Sequence, residues 1–353
     1  MQRSRPDDYE PPYPTYGIGE VSGDVKKAQP EYICSLVGVQ SLEPGAGEVL
    51  TQRILGLLTA DDVGKPKHVE RARESRDNAG YANDVLMPYW MSAEEMSQFW
   101  ARPDVQALLD EPLEGPVGWW RESFHAPLTG LDSSSTQPDM RWGLGRYLEQ
   151  KLERFHSYFG SMRDRVSDFL SGAADGEVGQ IAAGQTVESF GNRLRVSDLP
   201  DKICFIRGPF GWRKATPEQV VAFEADMLPI FEAGTNYLRD NPIDANCMSS
   251  RFLWEVDRGL DTEVDVNVVA WFLTLKDLEE WTHHHPTHLA IFGGFHKFMR
   301  RFEGQVRLTA GHEVIVVPQG QAVMEYVNCH PKTGMLPYFP AQRVEPQARK
   351  AAA

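Results

Sequence analysis

Runs of β-forming residues alternate with capped helical stretches, and the alternation occurs twice along the chain. Tyr32 to Gln40 (YICSLVGVQ) and Ala82 to Trp90 predict strands. Ser92-Ala93-Glu94-Glu95 carries the Ser-x-x-Glu start of a helix, ahead of Met96, Phe99 and Trp100 at helical spacing. Val117 to Pro127 (VGWWRESFHAP) predicts a third strand. In the second half, Ile203 to Arg207 predicts a short strand, and Thr216-Pro217-Glu218 opens a helix that continues from Val220 to Leu238. Pro229 should kink or divide that helix. Cys247 to Val256 and Val264 to Thr274 predict strands, Leu275 to Trp281 a helix, and Gln305 to Val317 with Ala322 to Cys329 complete the sheet.

The two halves correspond residue by residue at one place. Tyr89-Trp90, Ser92, Glu95 and Trp100 with Pro103 match Trp271-Phe272, Thr274, Glu280 and Trp281 with Pro286, allowing about two inserted residues. This predicts a duplicated βαββαβ unit, and so an α+β fold of two ferredoxin-like halves with helices over the sheets. The expected division is an extended segment over 1–30, a first half over 31–150, a connecting segment over 151–200, a second half over 201–340 and a tail over 341–353. In the alignment His288 falls opposite Val105, so only the second copy carries a ligand-type side chain.

Composition narrows the class. The chain has 353 residues, 41% hydrophobic and 24% charged, enough for a substantial core. Its formal charge of -14, without a long basic run, opposes attraction to phosphate backbones, so nucleic acid is not an expected partner. The polar, proline-rich start has no apolar core segment, and no stretch of about 18 apolar residues occurs. A cytoplasmic protein without a membrane partner is expected. Cys34, Cys204, Cys247 and Cys329 lie far apart in apolar runs without CxxC or CxxCH spacing, which predicts buried free thiols and excludes covalent c-type haem attachment. The closing Arg349-Lys350-Ala351-Ala352-Ala353 reads as a tail outside the fold.

Chemistry concentrates in His283-His284-His285-Pro286-Thr287-His288, which holds four of the ten histidines. With Pro286 restarting a helix, His288 falls in its first turn, and Leu289, Ile291 and Phe292 supply an apolar face. Three readings stand side by side: a solvated run at a helix junction, an iron or haem ligand, or a zinc site. Zinc needs further ligands, and neither HExxH nor paired CxxC is present, whereas haem needs only one histidine beside an apolar slot. His312, in Gly311-His312-Glu313-Val314-Ile315-Val316-Val317, shares a strand face with Val314 and Val316. It is either a core histidine bonded to a carbonyl or a pocket acid and base, kept near neutrality by burial without a counter-charge. Arg165 is either a surface arginine or the partner of a carboxylate or polar ligand group.

Several motifs together resemble the haem-dependent aldoxime dehydratases. They are Gly160-Ser161-Met162-Arg163-Asp164-Arg165, Leu238-Arg239-Asp240-Asn241, Ser249-Ser250-Arg251-Phe252, His285-Pro286-Thr287-His288-Leu289 with Ile291-Phe292, and Tyr326-Val327-Asn328-Cys329-His330-Pro331 with Thr333-Gly334-Met335-Leu336. The similarity runs from Tyr9-Glu10-Pro11-Pro12-Tyr13-Pro14 to Leu336. It implies two ferredoxin-like units forming a dimeric α+β-barrel-type core, with haem b between sheet and helices, ferrous in the active form, and a pocket completed by the segment 151–200. It implies conversion of an aldoxime to a nitrile and water, with His288 as axial iron ligand, His312 as distal acid and base, and Arg165 assisting. Edge strands in such folds pair readily, so a homodimer is an open expectation.

Two departures from the family pattern bear on the substrate. The family's distal serine follows an Ile-Arg pair, but here Ile206-Arg207 leads to Gly208, with Trp212 keeping the register. A glutamate that the family carries after an Ala-Pro pair is absent after Ala126-Pro127, leaving Ser133 or Asp132 as replacements. The resemblance therefore implies a haem lyase acting on an aldoxime. A relative turned to another N–O or N–N compound and a haem sensor or carrier are the alternatives.

Overall fold

The computed structural model describes residues 14–18, 31–139, 142–153, 162–185, 187–256 and 266–345. Contacts divide the chain into two units, Met1–Tyr32 with Ala126–Ile181 and Pro200–Gln321, and Ile33–His125 with Ala182–Leu199 and Ala322–Ala353. The expected halves 31–150 and 201–340 are thus not the compact units. The segment after Ala126 pairs with the second-half sheet, and Ala322–Val327 pairs with Val117–Pro127 rather than completing the sheet of Thr309–Val317. Strand pairing assigns each segment, and these two pair outside their own half. Tyr9 to Tyr13, Gly160, Ser161 and the tail from 346 lie outside the described residues.

The unit built on Ile33–His125 runs strand Glu31–Ser41, helix Glu48–Thr59, strands His68–Glu74 and Ala82–Tyr89, helices Ala93–Ala101 and Pro103–Leu109, and strand Val117–Pro127. Numbered along the chain, those four strands lie in the order 4-1-3-2, the ferredoxin-like arrangement. Ala322–Val327, Arg193–Val196 and Ala341–Arg343 extend it beside the fourth strand. Leu50, Ile54 and Leu58 on one helix face, with Phe99, Trp100, Leu108 and Leu109, bury the apolar side of the sheet.

The other unit repeats the plan. Strand Ile203–Gly211, the helical segments of 217–240, strands Cys247–Glu255 and Val266–Phe272, helices Leu275–His284 and Pro286–Arg301, and strand Thr309–Val317 again give the order 4-1-3-2. Leu131–Ser135, Tyr16–Gly17 and Lys151–Leu152 extend this sheet beside Thr309–Val317. Cys204, Ile206, Phe210, Phe252, Val266, Ala270, Phe272, Val314 and Val316 share one core with Phe223, Phe231, Leu278, Trp281 and Ile291 of the helices. The alternating sheet positions therefore turn one face to the helices.

Pro229 divides its helix, as its missing N–H requires. Pro217–Ala222 leads into a π-helical turn, Phe223–Met227, before Leu228–Asp240 resumes. The wider turn gives room for the proline ring against the preceding carbonyls. Ile203–Gly211 outruns the expected Ile203 to Arg207. Pro209 pairs with Asn267 on one side, while on the other the ladder passes from Ala310–Phe210 to Glu313–Arg207 without Gly208 and Pro209. All four cysteines are buried and free.

Candidate active site

His288 is positioned by two successive helix starts. Thr274 Oγ1 caps Leu275–His284 by accepting from Asp277 N at 3.2 Å. That helix ends where His285 turns extended, and His285 Nδ1 accepts from Thr287 N at 3.3 Å as the cap of Pro286–Arg301. Pro286 occupies the first turn, where no N–H is needed. His288 is the third residue of this helix, 3% exposed, edge-on to Trp281 at 4.7 Å. Its Nδ1 lies 2.8 Å from the Thr282 carbonyl. That bond assigns the proton to Nδ1 and the lone pair to Nε2. Burial pushes the His288 pKa down to about 4 against the opposing pull of the Thr282 carbonyl, so the ring is neutral near pH 7.

The rest of the run has other work. His284 is exposed and His285 is a cap whose ring packs, tilted by 33°, against Tyr237 at 4.1 Å. His283, expected to be solvated, is half-buried, since it sits one residue from the buried Thr282. Among the described residues no three His, Cys, Asp or Glu side chains gather as a metal-ion cluster.

His312 stands on the helix-covered face of its strand, 5% exposed, with Val314 and Val316. The expectation of burial without a counter-charge is corrected. His312 Nε2 lies 2.6 Å from Asp132 Oδ2. Asp132 in turn accepts two bonds from Arg165, Nε at 3.0 Å and Nη2 at 2.8 Å. Arg165 is consequently no surface arginine, its side chain being 5% exposed. Burial favours protonation of the Asp132 carboxyl, but Arg165 and then His312 outweigh it and hold it well below the usual carboxylate range. Burial likewise works against the Arg165 charge, and Asp132 more than restores it. Glu153 completes the group, with Oε2 at 3.3 Å from Arg165 Nε. Its burial pushes it up to about 8, Arg165 opposing and Asp132 adding.

The short strand Leu131–Ser135 carries this arrangement. It pairs antiparallel with Thr309–Val317 in the register His312–Ser134, Glu313–Ser133 and Val314–Asp132. Asp132 and Ser134 therefore share the face of His312, while Ser133 turns to the opposite face with Glu313. Asp132 is thus the residue beside His312, and Ser133 is not a pocket residue. Gly208 lies between Ile206 and Phe210, by alternation on the His312 face, and a Cβ there would meet Val268 Cγ1 at 2.9 Å.

A cavity of about 300 Å³ lies between the sheet face and the helix Pro286–Arg301, with both His288 and His312 in its wall. Ile291, Phe292, Phe295, Met299 and Phe210 make most of it apolar, and Ser134, Ser135, Thr136 and Gln137 provide a polar edge. Sequence reading missed Ser134 and left Asp132 undecided. Their Leu-Asp-Ser-Ser-Ser run has the composition of a loop, and only pairing with Thr309–Val317 makes it a strand.

A buried imidazole bonded through Nδ1 to a carbonyl, in the wall of a largely apolar cavity that also holds a histidine–carboxylate pair, has the chemistry that haem ligation asks of a protein. The sequence matches the family of haem-containing dehydratases over residues 35–335, and the chain belongs to that family. It is 31% identical over 286 residues to a phenylacetaldoxime dehydratase of Bacillus sp. (strain OxB-1), covering 79% of this chain and 80% of that one. It is 28% identical over 345 residues to an aliphatic aldoxime dehydratase of Rhodococcus globerulus, covering 95% and 94%. The crystal structure of an aldoxime dehydratase in complex with butyraldoxime superposes with a TM-score of 0.83 at 25% identity, covering 96% of this chain and 93% of that one. Among the described residues no helix is long and apolar enough to cross a membrane.

Proposed function

We propose that this protein converts an aldoxime, R–CH=N–OH, into a nitrile and water, with haem b held by His288 and proton transfer carried by His312. The observation that carries the reading is the pairing, across one apolar cavity, of a ligand-competent neutral histidine with a histidine bonded to a carboxylate. The fit to haem rests on His288 itself: Nδ1–H bonded to a carbonyl presents Nε2 as the ligand nitrogen, and burial keeps that nitrogen unprotonated.

When held by His288, ferrous haem would supply a Lewis acid for the oxime nitrogen and electron density that weakens the N–O bond. The chain's own groups do the rest. Asp132 accepts from His312 Nε2–H, which leaves proton exchange to Nδ1. His312 as imidazolium delivers its Nδ1 proton to the departing hydroxyl, which leaves as water. The neutral ring then takes the carbon-bound hydrogen as the C≡N bond forms. One N–O and one C–H bond break, one O–H bond forms, and His312 ends with the proton it began with. General acid–base transfer of this kind contributes about 10²–10⁴-fold. Arg165 holds the Asp132 carboxylate by two parallel bonds, so the carboxylate orients the ring without itself taking the proton.

The apolar wall of Ile291, Phe292, Phe295 and Met299 suits a hydrocarbon or aromatic R group. The test is direct. Anaerobically reduced, haem-loaded protein is given a panel of aliphatic and arylaliphatic aldoximes and nitrile is measured by mass spectrometry. Nitrile formation is expected, and its absence across the panel overturns the reading.

A further inference from the structure

The strand beside His312 places a hydroxyl where the reaction has need of one. We infer that Ser134 binds the oxime hydroxyl alongside His312 and takes up charge on that oxygen as the N–O bond breaks. The inference rests on the proposed dehydration and adds to it a further substrate-binding residue.

Three observations converge on Ser134. It is the register partner of His312 in the antiparallel ladder between Leu131–Ser135 and Thr309–Val317, so both side chains leave the sheet on one face at adjacent positions. It lies in the wall of the same cavity as His312 and is 2% exposed, which removes it from bulk water. It stands two residues from Asp132, so a single strand face delivers both the carboxylate that orients the imidazole and the hydroxyl beside it.

The neighbouring positions offer no equivalent group. Gly208, on the other strand flanking His312, has no side chain. Thr136 follows the last residue of the strand, its Oγ1 donating to the Leu308 carbonyl at 3.0 Å and accepting from Ala310 N at 3.0 Å. Ser135 Oγ accepts from Gln137 N at 3.2 Å, and its register partner is Gly311 rather than His312. Ser133 is on the opposite face. A donor beside an oxygen gaining negative charge in a largely apolar cavity acts mainly in the transition state. Ser134 therefore bears more on kcat than on substrate affinity.

Haem-loaded wild type, Ser134→Ala and Ser134→Thr are compared by nitrile formation and by spectral titration with butyraldoxime and with its product, butyronitrile. The expected result for Ser134→Ala is a fall in kcat of about 10²-fold. Butyraldoxime binding weakens by about 3- to 10-fold, and binding of butyronitrile, which has no oxygen, stays within about 2-fold. Ser134→Thr, which keeps the hydroxyl, retains most of the kcat. Gly208→Ser added to Ser134→Ala, with Val268→Ala to clear the Cβ position, recovers part of the loss. Unchanged kcat in Ser134→Ala overturns the inference, and so does equal weakening of aldoxime and nitrile. Should Ser134→Ala not fold, a Ser134→Thr enzyme as slow as one lacking the hydroxyl overturns it. No nitrile from wild type would instead overturn the dehydration reading, while the two binding titrations still decide the role of Ser134.

Discussion

Asp132 Oδ2 and His312 Nε2 stand 2.6 Å apart, diagonally across two antiparallel strands, with Arg165 donating to both carboxylate oxygens, Nε to Oδ1 and Nη2 to Oδ2. His312 is thereby fixed in one tautomer and its proton chemistry directed to one nitrogen. Asp132→Asn keeps the shape but removes the charge. Turnover is expected to fall by about 10²–10⁴-fold. Stability falls by about 1–3 kcal/mol, because Arg165 loses the ionised carboxylate that holds it and keeps only Glu153 beside it. Steady-state kinetics and urea unfolding check the two numbers. The folded Asp132 pKa is depressed, so its stabilisation is complete above the unfolded value near 4 and is lost as pH falls through the folded value.

Removal of the His288 side chain is expected to release the cofactor while leaving the fold intact. His288→Gly should bind haem at least about 10- to 100-fold more weakly, read as loss of the visible haem absorption and of iron per chain after gel filtration. Added imidazole, which can enter the vacated space, should restore part of the absorption. Retention of haem by the variant would show that another group holds the iron.

Glu153 makes the alkaline side of the stability profile. Its folded pKa, pushed up to about 8, exceeds the unfolded value near 4.3, so the folded state binds the extra proton between those values. Its contribution is complete below pH 4 and is lost as pH rises through 8. Glu153→Gln cannot ionise, so its melting temperature should gain on the wild type as pH rises from 5 to 9, with the smallest difference at pH 5. Parallel melting profiles would exclude this role.

In the unit built on Ile33–His125, His330 Nε2 lies 2.8 Å from Asp77 Oδ2. Burial works to raise the Asp77 carboxyl, but the hydrogen bond and charge of His330 outweigh it, and the net shift is downward. Its stabilisation is complete above about pH 4 and is lost at lower pH. Asp77→Asn is expected to cost about 1–3 kcal/mol at pH 7 and progressively less below pH 4, measured by denaturant unfolding across pH.

The framework strands are plain in the letters because both faces of their alternating pattern carry information. Val117–Pro127 and Ala82–Tyr89 are found within a residue of where the β-formers place them. His68–Glu74, by contrast, reads HVERARE, and its Arg71 pairs with Glu48 at 2.8 Å and Asp84 at 3.1 Å. Charges held by partners distant in sequence hide a strand from periodicity. Leu131–Ser135 is hidden for a related reason, since Asp132 serves His312 and Ser134 and Ser135 line the cavity instead of filling the core. His288 and His312 are legible because their surroundings are apolar and local. Asp132, Glu153 and Ser134 are not, because their meaning depends on residues up to 180 positions away.

Val105 and His288 are each the third residue of a proline-started helix that follows a helix capped by serine or threonine. The repeated frame accepts an aliphatic side chain or an imidazole at that point without altering either helix start. Within that shared frame a single side chain separates a packing position from an imidazole in a cavity wall. The turn bearing Val105 thus displays, within the same polypeptide, what the turn bearing His288 needs merely to fold.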